Sequence, residues 1–343
     1  MMVQNKTFEL IKRLPKAELH VHLEGSVTPE FWKHLLEKHC PLDPIPSLDE
    51  LQSRFRYDSF QGFIDVYRDI IFSFRSPHDF YELTQLYLKN AVKQNIRYVE
   101  MMMTPWFIIR QGIDLDELLS EIDRAAKEIE KDSDIDLKLI FDGPRNFGKE
   151  IVQEVFNMAA KDRTGRVIGV GLGGDEKNYP ALLFIDCFDY ARAEGFNTIA
   201  HAGETAGAQS MLDTIKLLKV SRLGHCLGIP RASELESLVF EKGVTLDLCP
   251  LSNVATRAIA SIEQHPMFEY LQRGYPITLN SDDPGMFTNS LTLEYETLLS
   301  LHAVSAEQLG QLSKNAVQGS FLNKTTKNRL ITEIEQVGQD FGQ

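Results

Sequence analysis

The chain has 343 residues, 43% of them hydrophobic, with 36 basic against 49 acidic side chains and a formal charge of −13. That is enough apolar material for one α/β barrel or two smaller domains, and it excludes a disordered or fibrous protein. The acidic excess excludes a partner bound through phosphates, whether nucleic acid or an anionic membrane surface, because either needs clustered Lys and Arg.

The four cysteines, Cys40, Cys187, Cys226 and Cys249, are scattered, forming neither a disulfide framework nor a C-x-x-C pair. The N-terminus carries no apolar signal core, and no apolar run approaches the length of a membrane span. These features predict a cytoplasmic protein, and they leave the oligomeric state open.

The first predicted strand, Glu18 to Leu23, contains His20-Val21-His22. Residues i and i+2 of a strand share a face, roughly 6.6 Å apart, so the two imidazoles can converge on one metal ion. The same spacing also suits two histidines alternating with core residues. The connection that follows is long, with Pro41, Pro44 and Pro46 and the aromatics Phe55, Tyr57, Phe60 and Phe63. Its length predicts an inserted helical cap or lid over residues 26–95.

Further strands are predicted at Tyr98 to Met103, Leu137 to Phe141, Val167 to Val170, Thr198 to His201, Arg222 to His225, Thr245 to Leu248 and Ile277 to Asn280. Amphipathic helices are predicted at Leu115 to Lys131 and Ala208 to Lys219, and the tail after Lys324 has a helical pattern. Eight strands alternating with helices predict a single (β/α)8 TIM barrel spanning 1–343, with the insertion after the first strand. Such a barrel builds its chemistry at the carboxyl ends of its strands.

Polar residues cluster at those ends: His201-Ala202-Gly203-Glu204, then His225, then Asn280-Ser281-Asp282-Asp283-Pro284. Each alone also suits a cap or a turn. Together, His20, His22, His201 and Asp282 supply three nitrogens and one oxygen for a divalent ion, with space for water.

These stretches, with Leu14 to Gly25, Gly173-Gly174-Asp175-Glu176, Arg222-Leu223-Gly224-His225 and Cys249-Pro250-Leu251-Ser252-Asn253, closely resemble the adenosine deaminase family of metal-dependent purine deaminases. The motifs keep the family's order and span nearly the whole chain. The resemblance implies one zinc ion per chain, held by His20, His22, His201 and Asp282, which lowers the pKa of its water. It implies that Glu204 protonates purine N1 during attack at C6 and that His225 orients the attacking oxygen. Asp283 is expected to bind N7, the Gly174 backbone to approach N3, and Glu24, beside His22, to meet the substituent on N9.

The resemblance makes the partner a small purine and the leading substrate adenosine or deoxyadenosine, converted to the 6-oxo nucleoside and ammonia. The fourth strand ends without a lysine, which favours one ion over a binuclear site. Within the family, H-L-D-G is usual for nucleoside enzymes, whereas this chain reads His22-Leu23-Glu24-Gly25. That form looks more like adenine or aminodeoxyfutalosine deaminases, while Gly174 and Gly224 depart from the adenine pattern. Cys226 stands where a Gly usually follows the histidine. A different mononuclear metallohydrolase and a non-catalytic zinc-binding barrel are the remoter alternatives.

Overall fold

The computed structural model describes residues 2–40, 44–228 and 233–342; Pro41 and the side chain of Phe60 lie outside the described residues. Each short apolar run forms a strand: β1 (Lys16–His22), β2 (Ile96–Met103), β3 (Asp136–Pro144), β4 (Val167–Gly173), β5 (Asn197–Ala202), β6 (Arg222–His225), β7 (Thr245–Leu248) and β8 (Ile277–Leu279). They pair in chain order, all parallel. Helices cover the outer face, so most strand residues are buried on both sides, which is why the strands read as continuous apolar runs.

Closure between β8 and β1 uses few bonds. The His22 N–H donates to Asp282 O at 2.8 Å and the Asp282 N–H to His20 O at 3.1 Å. Asn280 Oδ1 accepts the N–H groups of Leu19 and His20 at 2.9 and 3.1 Å. Below this seam Glu18 is buried, accepting from Ser281 N–H at 3.1 Å and from Tyr87 OH at 2.5 Å. Arg222 fills the barrel floor, with Nε 2.8 Å from Asp247 and Nη1 2.6 Å from Glu100. A fully buried Arg is tolerated there because carboxylates meet it on both sides.

The expected helix Leu115 to Lys131 forms as Leu115–Glu130, capped by Asp114, whose side chain accepts from Glu117 N–H at 3.1 Å. Ala208 to Lys219 instead becomes the helix Gly207–Asp213 followed by a π turn, Thr214–Leu218, that ends on Lys219 at φ 55°. The tail forms the helix Lys324–Gly342 and packs on the helices Met2–Arg13 and Ala306–Gly319.

Between β1 and β2 the chain forms helices Pro29–His39, Leu48–Arg54, Phe60–Ile71 and Pro77–Lys93. The last lies against Leu115–Glu130 as an ordinary member of the outer helical layer. Earlier in the segment, Tyr57 meets Phe287 edge-on and Phe63 lies tilted against it, with ring centroids 5.9 and 5.1 Å away, and Tyr57 OH donates to Met286 O at 3.2 Å. These contacts tie the segment to the loop that follows β8, at the carboxyl mouth of the barrel. Among the described residues no helix is long and apolar enough to cross a membrane.

Candidate active site

His20 and His22 share one face of β1, His201 comes from β5, and Asp282 follows β8 in a left-handed conformation at φ 61°. One ligand atom from each lies within 4.8 Å of the others. Asp282 Oδ1 is 3.3 Å from His20 Nε2 and 3.4 Å from His22 Nε2. His20 is 1% exposed, and its Nε2, despite that approach, lies outside hydrogen-bonding geometry with any partner. Three imidazoles, one carboxylate and a buried nitrogen without a partner fit a divalent ion of the zinc type.

The surroundings orient these groups. Leu172 O lies 3.2 Å from His201 Nδ1, which places the proton there and leaves Nε2 its lone pair. Ser252 Oγ donates to Asp282 Oδ2 at 2.5 Å. At Gly224 a Cβ would lie 2.4 Å from the His20 ring, so the glycine is what gives that ring its place.

Burial pushes His20 down to about 4 and His201 well below the usual imidazole range, so both are neutral, the form that binds metal. At His22 burial works the same way, but Asp282 and Asp283 outweigh it and raise the group to about 10. Burial also opposes charge on Asp282, yet the close approach of His20 and His22 holds it ionised. His225, Cys249 and Asp282 form a second grouping, but burial pushes the Cys249 thiol up, away from the thiolate that metal binding requires.

Glu204 is raised by burial, with Asp282 and Glu176 adding to the effect and His225 opposing it, which favours a protonated carboxyl. Its Oε2 is 3.8 Å from His225 Nε2. A directed chain fixes that histidine. The Met267 N–H can only donate, and it meets His265 Nδ1 at 3.1 Å. His265 Nε2 therefore carries the proton toward Asn253 Oδ1 at 3.3 Å, and Asn253 Nδ2 donates to His225 Nδ1 at 3.0 Å. His225 Nε2 is left protonated, facing Glu204. His225 and Cys226 both adopt left-handed backbone, at φ 70° and 53°, which accounts for the glycine usual at the second position.

Asp283 is pushed well up by burial and by the charge of Asp282, and its Oδ1 has no partner. A Cβ on Gly25 would lie 1.8 Å from that oxygen, so only glycine admits it. Gly174 sits at φ 104°, where a Cβ would meet Asn146 Oδ1 at 2.2 Å. Glu24, fully buried in the turn Glu24–Ser26, accepts from Thr104 N–H at 2.8 Å through Oε1, and its Oε2 is unpaired.

Four further residues of the site were given no role from the sequence, although Glu176 and Asn253 stand in its motif stretches. Glu176, 2% exposed, gathers the Glu204 loop: Oε1 accepts from the N–H groups of Glu204 and Thr205 at 2.9 and 3.0 Å, and Oε2 from Gly203 N–H at 2.7 Å and Ser210 OH at 2.5 Å. Asn253 and His265 form the chain behind His225. Asp142, near the end of β3 and 5% exposed, is pushed up to about 6 by burial. A carboxylate inside the apolar run Ile140-Phe141-Asp142 was the available signal for it; His265, in an irregular loop, gave none.

Residues 15–337 match the adenosine deaminase family model. The chain is 35% identical over 331 residues to an aminodeoxyfutalosine deaminase of Streptomyces coelicolor, covering 95% of this chain and 84% of that protein. It is 32% identical over 326 residues to an adenine deaminase of Vibrio parahaemolyticus, covering 95% and 96%. The crystal structure of an adenine deaminase from Arthrobacter aurescens superposes with a TM-score of 0.89 at 28% identity, covering 94% of this chain and 98% of that one. The chain therefore belongs to the adenosine deaminase family, metal-dependent hydrolases that break C–N bonds of purines.

Proposed function

We propose that the chain is a zinc-dependent deaminase that replaces the C6 amino group of an N9-substituted purine with oxygen, releasing ammonia, and that aminodeoxyfutalosine is its substrate. His20, His22, His201 and Asp282 hold the ion, which when bound supplies an activated water. The observation that carries the reaction is Glu204, its side chain 9% exposed and its Oε2 3.8 Å from His225 Nε2. Glu204 gives its proton to N1, which draws electrons out of the ring and opens C6 to attack. His225, protonated at Nε2, donates to the incoming oxygen and steadies its charge. Asp283, as the neutral acid, donates to N7, and the Gly174 N–H serves N3. Water adds across C6 and the amino nitrogen leaves as ammonia, so one water is consumed for each 6-oxopurine formed. The earlier part of the segment, before the helix Pro77–Lys93, closes over the pocket mouth as a cap, a role supported by the ring contacts of Tyr57 and Phe63 with Phe287.

Adenosine and deoxyadenosine, the substrates expected from the sequence, have less support than the 5′-extended nucleoside. Glu24 is a methylene longer than the Asp usual in nucleoside enzymes, and the relatives at 35% identity are aminodeoxyfutalosine deaminases. Adenine is the second reading, favoured by relatives at 32% identity. Ammonia release from aminodeoxyfutalosine, adenosine, deoxyadenosine and adenine tests the choice. The highest kcat/KM is expected on aminodeoxyfutalosine, and preference for adenine would refute the nucleoside reading.

A further inference from the structure

Asp142 is a second buried carboxylate in the barrel mouth, and the mechanism above does not use it. Its backbone pairs with Gly171 of β4, and its side chain lies over the strand. A Cβ on Gly171 would come 2.5 Å from Asp142 Oδ1, and one on Gly173 would come 2.4 Å from Oδ2. The same Gly173 position is 3.3 Å from the His201 ring, so the carboxylate stands next to the ligand cluster. The two glycines thus clear a berth for this acid, and Oδ1 is buried without a partner. A core acid kept only for packing would be expected to have its hydrogen bonds met by the protein.

Counting donors and acceptors shows what the berth suits. A 6-aminopurine offers three ring acceptors, N1, N3 and N7, and in the reading above these are met by Glu204, the Gly174 N–H and Asp283. Glu24 Oε2 and Asp142 remain, both acceptors, both buried and both unsatisfied. Once the amino group is committed to leaving, free adenine retains a single N–H donor on the imidazole ring, too few for two carboxylates. A pentose on N9 brings a vicinal pair of hydroxyls. We propose that Asp142 is a specificity-determining residue that accepts a hydrogen bond from a hydroxyl of the N9-linked sugar, Glu24 taking the other donor. This rests on the proposed deamination of an N9-substituted purine and adds the group that is read on the substituent.

The test is a cycle between side chain and hydroxyls. Zinc-loaded wild type and the variants D142A and D142N are assayed for ammonia release from adenosine, 2′,3′-dideoxyadenosine and adenine, with bound zinc measured in each. Wild type is expected to lose about ten- to a hundredfold in kcat/KM when the hydroxyls are removed, the range for a hydrogen bond to a charged group. In D142A that penalty falls about tenfold, the remainder being the hydroxyl held by Glu24, with zinc content unchanged. D142N, which keeps the shape and an acceptor oxygen but not the charge, falls between. An equal penalty in wild type and D142A overturns the assignment, as does equal loss on all three substrates. If the wild type releases no ammonia from any of the three or from aminodeoxyfutalosine, the deaminase reading itself fails and this inference with it; an unchanged penalty with wild-type turnover intact strikes Asp142 alone.

Discussion

Replacing Glu176 by Gln probes the support of the catalytic loop without touching substrate or metal. Its two oxygens accept four hydrogen bonds, three of them from consecutive backbone N–H groups of Gly203, Glu204 and Thr205. An amide retains one oxygen. Whichever way it is turned, its nitrogen faces at least one of those N–H groups, donor against donor; the Ser210 hydroxyl can rotate and accept, but a backbone amide cannot. One orphaned buried donor costs about 1–3 kcal/mol. If all of it falls on the conformation that sets Glu204 against N1, kcat drops about fivefold to about 150-fold. Steady-state ammonia release, with zinc content and KM measured in parallel, is the assay. The expected result is a fall in kcat with bound zinc and KM near wild type. A kcat within twofold of wild type would refute the clamp, and loss of zinc would show that Glu176 supports the ligands rather than the acid.

Other changes separate the remaining roles. Glu204→Gln is expected to keep the metal and lose about 10²- to 10⁴-fold in kcat, since a general acid is removed; metal analysis beside turnover checks it. Asp282→Ala is expected to lose both metal and activity, and a zinc-replete variant would show the ligand set to be wrong. His265→Ala frees Asn253 and with it the His225 proton, so kcat is expected to fall about tenfold or more at unchanged zinc content; unchanged kcat would mean that the chain behind His225 is idle. Lys16, whose Nζ donates to Leu14 O and Gln94 O, is brought down to about 7 by burial. Between pH 7 and about 10 the unfolded chain holds that proton and the folded one does not, so this residue makes unfolding free energy rise with pH across that window. Denaturant titrations of wild type and Lys16→Met should diverge there; parallel curves would contradict the burial effect.

The barrel was legible because its strands are buried on both faces and bounded by turn residues. β6 and β7 match the expected limits, Arg222 to His225 and Thr245 to Leu248. β1 starts two residues earlier than expected because Lys16, polar by type, is held in the strand by carbonyl partners. β8 stops before Asn280, whose side chain is diverted to the β1 amides. Residues next to strand-end motifs could be found in the sequence, because the motif itself fixes their direction. Glu176 could not be given a role, since its partners lie 27 to 34 positions away. The same holds for His265, whose purpose appears only once Asn253 stands between it and His225.

Where β8 meets β1, two backbone bonds and one asparagine do the work that longer ladders do elsewhere in the cylinder. His20 and His22 stand on one bank of that gap and Asp282 on the other. A cation gripped from both banks is a rivet through the weakest course of the wall, joining the chain's opening stretch to its last third. If the four side chains hold such an ion, chelation is expected to do more than silence the chemistry. The seam is then expected to loosen, and the amide protons of Leu19, His20 and His22 to exchange faster without the ion than with it.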